Sequence, residues 1–202
     1  MQFVLASQSP ARLMVLRNAG IDPLVQVSGV DEDAIIAGLP ADAGPARTVA
    51  TLAEAKARVV APDHTDAVVV GCDSMLFQGG QLVGKPGTPE RAVERWERMA
   101  GGTGELLTGH AVLRVRDGAV TAAATGTVST TIRFGKPSAE ELAAYVSTGE
   151  PLSVAGGFTL DGYGGWFVDG MDGDPSSVIG ISLPLTRRLL REVDVAVIDL
   201  WR

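Results

Sequence analysis

Arg12, Lys56, Asp73 and Lys85 are the residues whose types and settings could do chemistry, and that chemistry would be on a phosphate. Arg12 falls in the first turn of a predicted helix that Ser9 caps and Pro10 opens, at the end where the dipole disfavours a cation unless an anion joins it. The plainer alternative is an ordinary strand-to-helix turn with a solvated arginine. Lys56 sits near the centre of an apolar helical stripe made by Val49, Leu52, Ala53 and Val60. A lysine there cannot be buried unpaired, so it projects into a cleft, the favoured reading, or meets a carboxylate, unless it snorkels at the helix rim. Asp73 comes just past the apolar strand Ala67 to Val70. Ligands of open α/β sheets bind beyond the carboxyl ends of strands, which makes Asp73 a candidate general base or metal ligand; the alternative is a turn cap. Gly84-Lys85-Pro86 puts a second lysine on a corner across a predicted hairpin from Asp73.

The elements that must position these groups alternate between helical and strand patterns. Gln2 to Ala6 reads as a strand, and the helix after Ser9 ends near Asn18 with Gly20 as its stop. Pro45 to Ala61 reads as an amphipathic helix with Val59 on its apolar face beside Val49, Leu52, Ala53 and Val60. Ala67 to Val70 lacks polar alternation, as expected of a strand buried on both faces. Met75 to Phe77 and Gln81 to Val83 pair across Gln78-Gly79-Gly80, and Thr88-Pro89-Glu90 starts a helix that Gly101-Gly102 ends. Leu106 to Val115 and Val120 to Phe134 read as strands around Asp117-Gly118, and Ser138 to Glu141 is a capping box for a helix stopped by Gly149. Gly156 to Gly180, with eight glycines, predicts tight turns rather than regular elements. Pro184 begins a helix, and Val195 to Trp201 reads as a closing strand.

Composition narrows the function classes. A chain of 202 residues, 46% hydrophobic and 20% charged, suits one compact domain, residues 1–202, with a sizeable core. A net charge of -7 disfavours nucleic acid polymers and anionic membranes, so any bound phosphate must be met by a local cluster or a metal. The single Cys72 excludes an internal disulfide framework, and no secretory leader or transmembrane run is evident, so a cytoplasmic protein is expected. His64 and His110 show no ligand spacing with Cys72, which argues against zinc. Cys72 reads as a small buried residue, Trp96 and Trp166 as core or cleft wall, and Asp169, Asp172 and Asp174 as turn formers.

Leu5-Ala6-Ser7-Gln8-Ser9-Pro10, Lys56, Gly71-Cys72-Asp73-Ser74, Gly84-Lys85-Pro86, Leu107-Thr108-Gly109 and Ala155-Gly156-Gly157-Phe158 through Val178-Ile179-Gly180 occur in that order. Together they resemble the Maf family, the septum-formation-inhibitor-like nucleotide pyrophosphatases, over nearly the whole chain. The resemblance implies an α/β fold with a mixed elongated sheet, flanking helices and two lobes around a cleft, similar to the inosine-triphosphate pyrophosphatases. It also implies hydrolysis of an NTP or dNTP to the monophosphate and pyrophosphate with Mg²⁺ or Mn²⁺ as cofactor, as house-cleaning of non-standard or excess nucleotides with a pyrimidine or modified base. In the family pattern Ser9 and Arg12 hold phosphate, Glu32 and Lys56 line the cleft, Asp73 is the catalytic base and Lys85 lies near the triphosphate. Glu32 and Asp73 would supply metal ligands. The expected partners are the nucleotide and, in a homodimer, a second copy of the chain. A nucleotide-binding regulator of division without catalysis, and a purine-specific pyrophosphatase, are the competing readings.

The chain departs from the pattern twice. Ala11 precedes Arg12 where the family usually has two adjacent arginines, which removes one expected phosphate contact. Leu160-Asp161-Gly162 stands where the family often has Ile-Gln-Gly. An ionised Asp161 only accepts hydrogen bonds, so a role in base selection would weaken a thymine or uracil preference in favour of cytosine or guanine; the alternative is that Asp161 forms the turn or helps hold the metal.

Overall fold

A computed structural model describes residues 1–202 and contains fourteen regular strands and helices, joined by short 3₁₀ turns. In chain order they are β1 (Gln2–Leu5), α1 (Pro10–Asn18), β2 (Leu24–Val25), α2 (Glu32–Ala37), α3 (Pro45–Val60), β3 (Asp66–Gln78), β4 (Gln81–Val83), α4 (Pro89–Met99), β5 (Thr103–Arg116), β6 (Ala119–Phe134), α5 (Ala139–Ser147), β7 (Val168–Asp172), α6 (Pro175–Ile179) and α7 (Leu183–Glu192). The sheet order is β2-β1-β3-β5-β6-β7, with β4 paired to β3. β1 runs parallel to both its neighbours, whereas β3–β4 and β6–β7 are antiparallel, so the protein is a mixed α/β fold. None of its helices is long and apolar enough to cross a membrane.

The chain divides into two compact units. The first comprises Met1–Asp73, Thr108–Val128 and Gly180–Arg202. Its core packs the α3 face of Ala53, Ala57 and Val60 against Val4, Val69 and Leu113 from the sheet. The second comprises Ser74–Leu107 and Ser129–Ile179. It is built around Trp96, which meets Phe134, Tyr145 and Phe167 edge-on at 5.8–5.9 Å and donates its indole N–H to the Gly157 carbonyl at 2.8 Å.

Local chemistry places the helices where their capping residues predict. Ser9, Thr88, Ser138 and Ser182 each accept a backbone N–H from the first turn of the helix that follows. Ser138 and Glu141 form the full capping box.

Several expectations about the elements need correction. β3 does not stop at Val70 but continues through Gly71, so Asp73 lies within the strand rather than past it. Gly71, just past the predicted strand, leaves room for a helix: a Cβ there would fall 2.1 Å from the Ala53 carbonyl oxygen. Gly156 to Gly180 holds β7 and α6 as well as turns. β6 supplies the hydrogen-bond partner that makes this glycine-rich segment a strand, with a register irregularity at Arg133/Phe134. Val195 to Trp201 is not a strand: it forms a 3₁₀ turn over Val197–Leu200, its backbone satisfied by bonds such as Val195 N to Leu190 O and Arg202 N to Gly20 O. Val59 is 53% exposed, since it lies about 90° from the centre of the apolar stripe at about 100° per residue.

Candidate active site

The helix α3 lies almost directly on the sheet because two glycines leave room for it. A Cβ at Gly71 of β3 would fall 2.1 Å from the Ala53 carbonyl oxygen, and one at Gly109 of β5 would fall 2.2 Å from that of Val49. This contact sets the register of the site. Residue 73 is two beyond Gly71 and so on the same strand face, while residue 56 is about one helical turn beyond Ala53. The buried Lys56 ammonium therefore meets the buried Asp73 carboxylate, with Nζ to Oδ1 at 2.6 Å. The same Nζ lies 2.6 Å from Glu32 Oε1, whose side chain is half-exposed.

Glu32 is the first residue of α2, which Asp31 caps by accepting the Ala34 N–H. No residue of α2 is buried, so its ion pair to Lys56 ties a surface helix to a buried group. One ammonium thus joins two carboxylates. Of the three readings of Lys56, projection into a cleft, contact with a carboxylate and snorkelling at the helix rim, the structure shows contact with carboxylates rather than the favoured cleft projection.

Burial pushes the Asp73 carboxyl above the ordinary carboxylate range. The charges of Lys56 and Arg12 pull it back, and Glu32 pushes it up again. A carboxylate so poised is a better proton acceptor than a solvated one.

Arg12 is fixed by two contacts of its own unit. Its Nε–H donates to the Gly180 carbonyl at 2.8 Å and its Nη1 donates to Ser7 Oγ at 3.0 Å. Ser7 Oγ also accepts the Ser9 N–H at 3.2 Å, and Ser9 Oγ accepts the Arg12 N–H at 3.4 Å. Gly180 has φ +146°, and a Cβ there would press on Arg12 Cγ at 3.0 Å. No acidic residue occupies the first turn of α1. The helix end is therefore positive by both dipole and side chain, a setting for an anion.

In the second unit, Lys85 follows β4 as an exposed residue that enters no ion pair. Asp161 is exposed on a glycine-rich loop held by Glu150. The Glu150 carboxylate accepts from Thr159 Oγ1 at 2.5 Å, Gly164 N at 2.9 Å and Tyr163 N at 3.0 Å. Burial acts to raise the Glu150 pKa, but these donors outweigh it and leave the pKa below its usual value.

A family model described as "Maf-like protein" matches residues 2–193. The chain belongs to the Maf family. Among curated relatives of this Maf chain, a protein of Saccharopolyspora erythraea is 64% identical over all of this chain and 97% of its own length. One of Nocardia farcinica is 63% identical over 98% of this chain and 96% of its own, and one of Rhodococcus opacus is 59% identical over 98% and 95%. Each of the three is named nucleoside triphosphate pyrophosphatase.

The Maf fold thus brings Glu32, Lys56 and Asp73 together and anchors Arg12 beside Ser9, while Lys85 and Asp161 belong to the second unit. Sequence reasoning missed Ser7, buried and bonded to Arg12, although it lies in the motif between Ala6 and Gln8. It also missed Glu150, whose bonded partners lie nine to fourteen residues on. Trp166 is corrected: it is 85% exposed, because the 3₁₀ turn Tyr163–Phe167 turns Phe167 inward to Trp96 and its neighbour outward. Trp96 is core, as expected.

Other titratable groups find structural partners. Cys72 is buried, and burial pushes its thiol up to about 11, far from a thiolate nucleophile. Asp172 pairs with Arg133, and Asp174 accepts from Ser176 at the start of α6. No three His, Cys, Asp or Glu side chains form a metal-binding group. The two carboxylates gathered on Lys56 are nonetheless hard oxygen donors of the kind Mg²⁺ or Mn²⁺ takes, provided that phosphate and water complete the shell.

Proposed function

We propose that this chain hydrolyses nucleoside triphosphates to the monophosphate and pyrophosphate, with Asp73 as the base. The observation that carries this reading is the buried Asp73 carboxylate held at 2.6 Å by Lys56 near the charge of Arg12. Mere phosphate binding has no use for a carboxylate among cations, which argues against a regulator that only binds nucleotide. The shared name of relatives 57–64% identical over nearly the full chain supports the same reaction.

Asp73 accepts a proton from water as the water oxygen bonds to the α-phosphorus and the bond from that phosphorus to the bridging oxygen breaks. Lys56 favours the ionised form of Asp73 against the opposing effect of burial and holds the carboxylate in place. Arg12, with its guanidinium set by Gly180 and Ser7, takes up negative charge on the phosphates, and Ser9 lies beside it at the helix end. For Lys85, exposed in the second unit, the family pattern implies a role near the triphosphate. Glu32 and Asp73 would hold a divalent cation, which when bound neutralises phosphate charge and polarises the phosphoryl group. The role is house-cleaning of non-standard or excess nucleotides in the cytoplasm, with Asp161 contributing to the choice of base.

The test is pyrophosphate release from a nucleotide panel with Mg²⁺ or Mn²⁺. Pyrophosphate and monophosphate in equal amounts support the proposal, and tight binding of the nucleotides without turnover overturns it. Sedimentation of the same preparation checks the expected homodimer.

A further inference from the structure

His110 is completely buried in β5 and belongs to none of the groups above, yet its two ring nitrogens have fixed and different tasks. Nε2 lies 2.8 Å from the Ser182 backbone nitrogen, which can only donate. Nδ1 lies 3.1 Å from the Thr108 carbonyl oxygen, which can only accept. The ring is therefore neutral, with its proton on Nδ1 and a lone pair on Nε2.

Ser182 is two residues beyond Gly180, whose carbonyl accepts the Arg12 Nε–H at 2.8 Å. The segment between them leads into α7, and Ser182 Oγ caps that helix by accepting the Leu185 N–H at 3.1 Å. His110 thus fastens to the sheet the piece of backbone that aims Arg12. The same backbone runs close to the Arg12 stem, since a Cβ at Gly180 would fall 3.0 Å from Arg12 Cγ. Ala11 leaves Arg12 the only arginine in the first turn of α1, so its placement has no second guanidinium to back it.

We infer that His110 is a positioning residue for Arg12, acting through the Ser182–Gly180 backbone, and that its neutral Nδ1–H tautomer is required. The consequence for turnover rests on the reading of Arg12 as a phosphate contact. The placement of Arg12 does not.

Two near-isosteric variants separate the ring nitrogens. His110→Gln carries an amide oxygen to about the Nε2 position, where it can accept from Ser182. His110→Asn reaches only the Nδ1 position and keeps Thr108 alone. With ¹⁵N-labelled protein well below each variant's Tm, the wild type shows a non-protonated Nε2, and the Arg12 Nε–H signal is preserved in His110→Gln but broadened by solvent exchange in His110→Asn. KM for the nucleoside triphosphate stays within about twofold of wild type in His110→Gln and rises about tenfold in His110→Asn. In an Arg12→Ala background that rise disappears, as expected for residues acting through one network. A protonated Nε2 in the wild type, or an Arg12 Nε–H signal equally sharp in both variants, overturns the proposal. So does a KM effect of His110→Asn that persists undiminished without Arg12. An Arg12→Ala variant with normal KM would remove the phosphate reading, while the Arg12 Nε–H signal would still decide the placement.

Discussion

Lys56 Nζ and Asp73 Oδ1 meet at 2.6 Å between two buried side chains, and the two halves of this pair are not equivalent. Burial raises the Asp73 pKa in the folded state, so its contribution to stability is greatest below the unfolded carboxylate value near ~3.9 and is lost as pH rises through the folded value. Asp73→Asn removes that loss and leaves Lys56 its contact with Glu32. The variant is expected to melt at or above the wild-type temperature at neutral pH while turnover falls by roughly 10²-fold or more. Calorimetry beside steady-state kinetics checks both signs, and a folded variant with unchanged turnover would move the base elsewhere.

Lys56→Met has the opposite effect on stability. It strands the Asp73 carboxylate, which costs about 3–5 kcal/mol at neutral pH. The folded Asp73 pKa then rises further, so the deficit against wild type shrinks as pH falls toward the unfolded value and widens as pH rises. The acidic limb of kcat/KM, which reports Asp73 in the free enzyme, moves to higher pH. Denaturant melts across a pH series and a pH–rate profile check these outcomes, and an unmoved limb with a pH-independent deficit contradicts them.

Gly71→Ala tests the contact that sets the register. The added methyl meets a backbone carbonyl at 2.1 Å, which cannot swing away as a side chain would. The expected cost is about 3 kcal/mol or more, at the upper end for overpacking, and turnover falls because α3 carries Lys56 away from Asp73. A melt and a rate within error of wild type would show that α3 shifts freely on the sheet.

How much was legible follows from how far each signal reaches. The cap at Ser9, the capping box at Ser138 and Lys56 on its apolar stripe are local patterns, and they appear in the structure as the sequence implies. Asp73 is legible as a residue but not in its setting, because the apolar run stops at Val70 and nothing local shows that a helix lies on Gly71. His110, Ser7 and Gly180 form one anchor for Arg12 across sequence separations of up to 168 residues, which no periodicity encodes. The Val195 to Trp201 pattern is apolar enough for a strand, but its backbone is satisfied locally instead.

Asp161→Gln addresses base selection. An exposed carboxylate on the loop that Glu150 holds can accept from the cytosine amine or from guanine N1–H and its amine, but it repels the carbonyls of uracil and thymine. The ratio of kcat/KM for CTP or GTP to that for UTP or dTTP is expected to fall in the variant. Unchanged ratios remove Asp161 from base choice, and equal losses on every nucleotide assign it to the metal or the loop.

Hydrolysis in H₂¹⁸O, followed by mass analysis of both products, tests the central claim most directly. Attack by water on the α-phosphorus with Asp73 as base places one ¹⁸O in the nucleoside monophosphate and none in the pyrophosphate, and Asp73→Asn slows appearance of that label. Label in pyrophosphate, or release of orthophosphate and nucleoside diphosphate as the first products, would contradict the account.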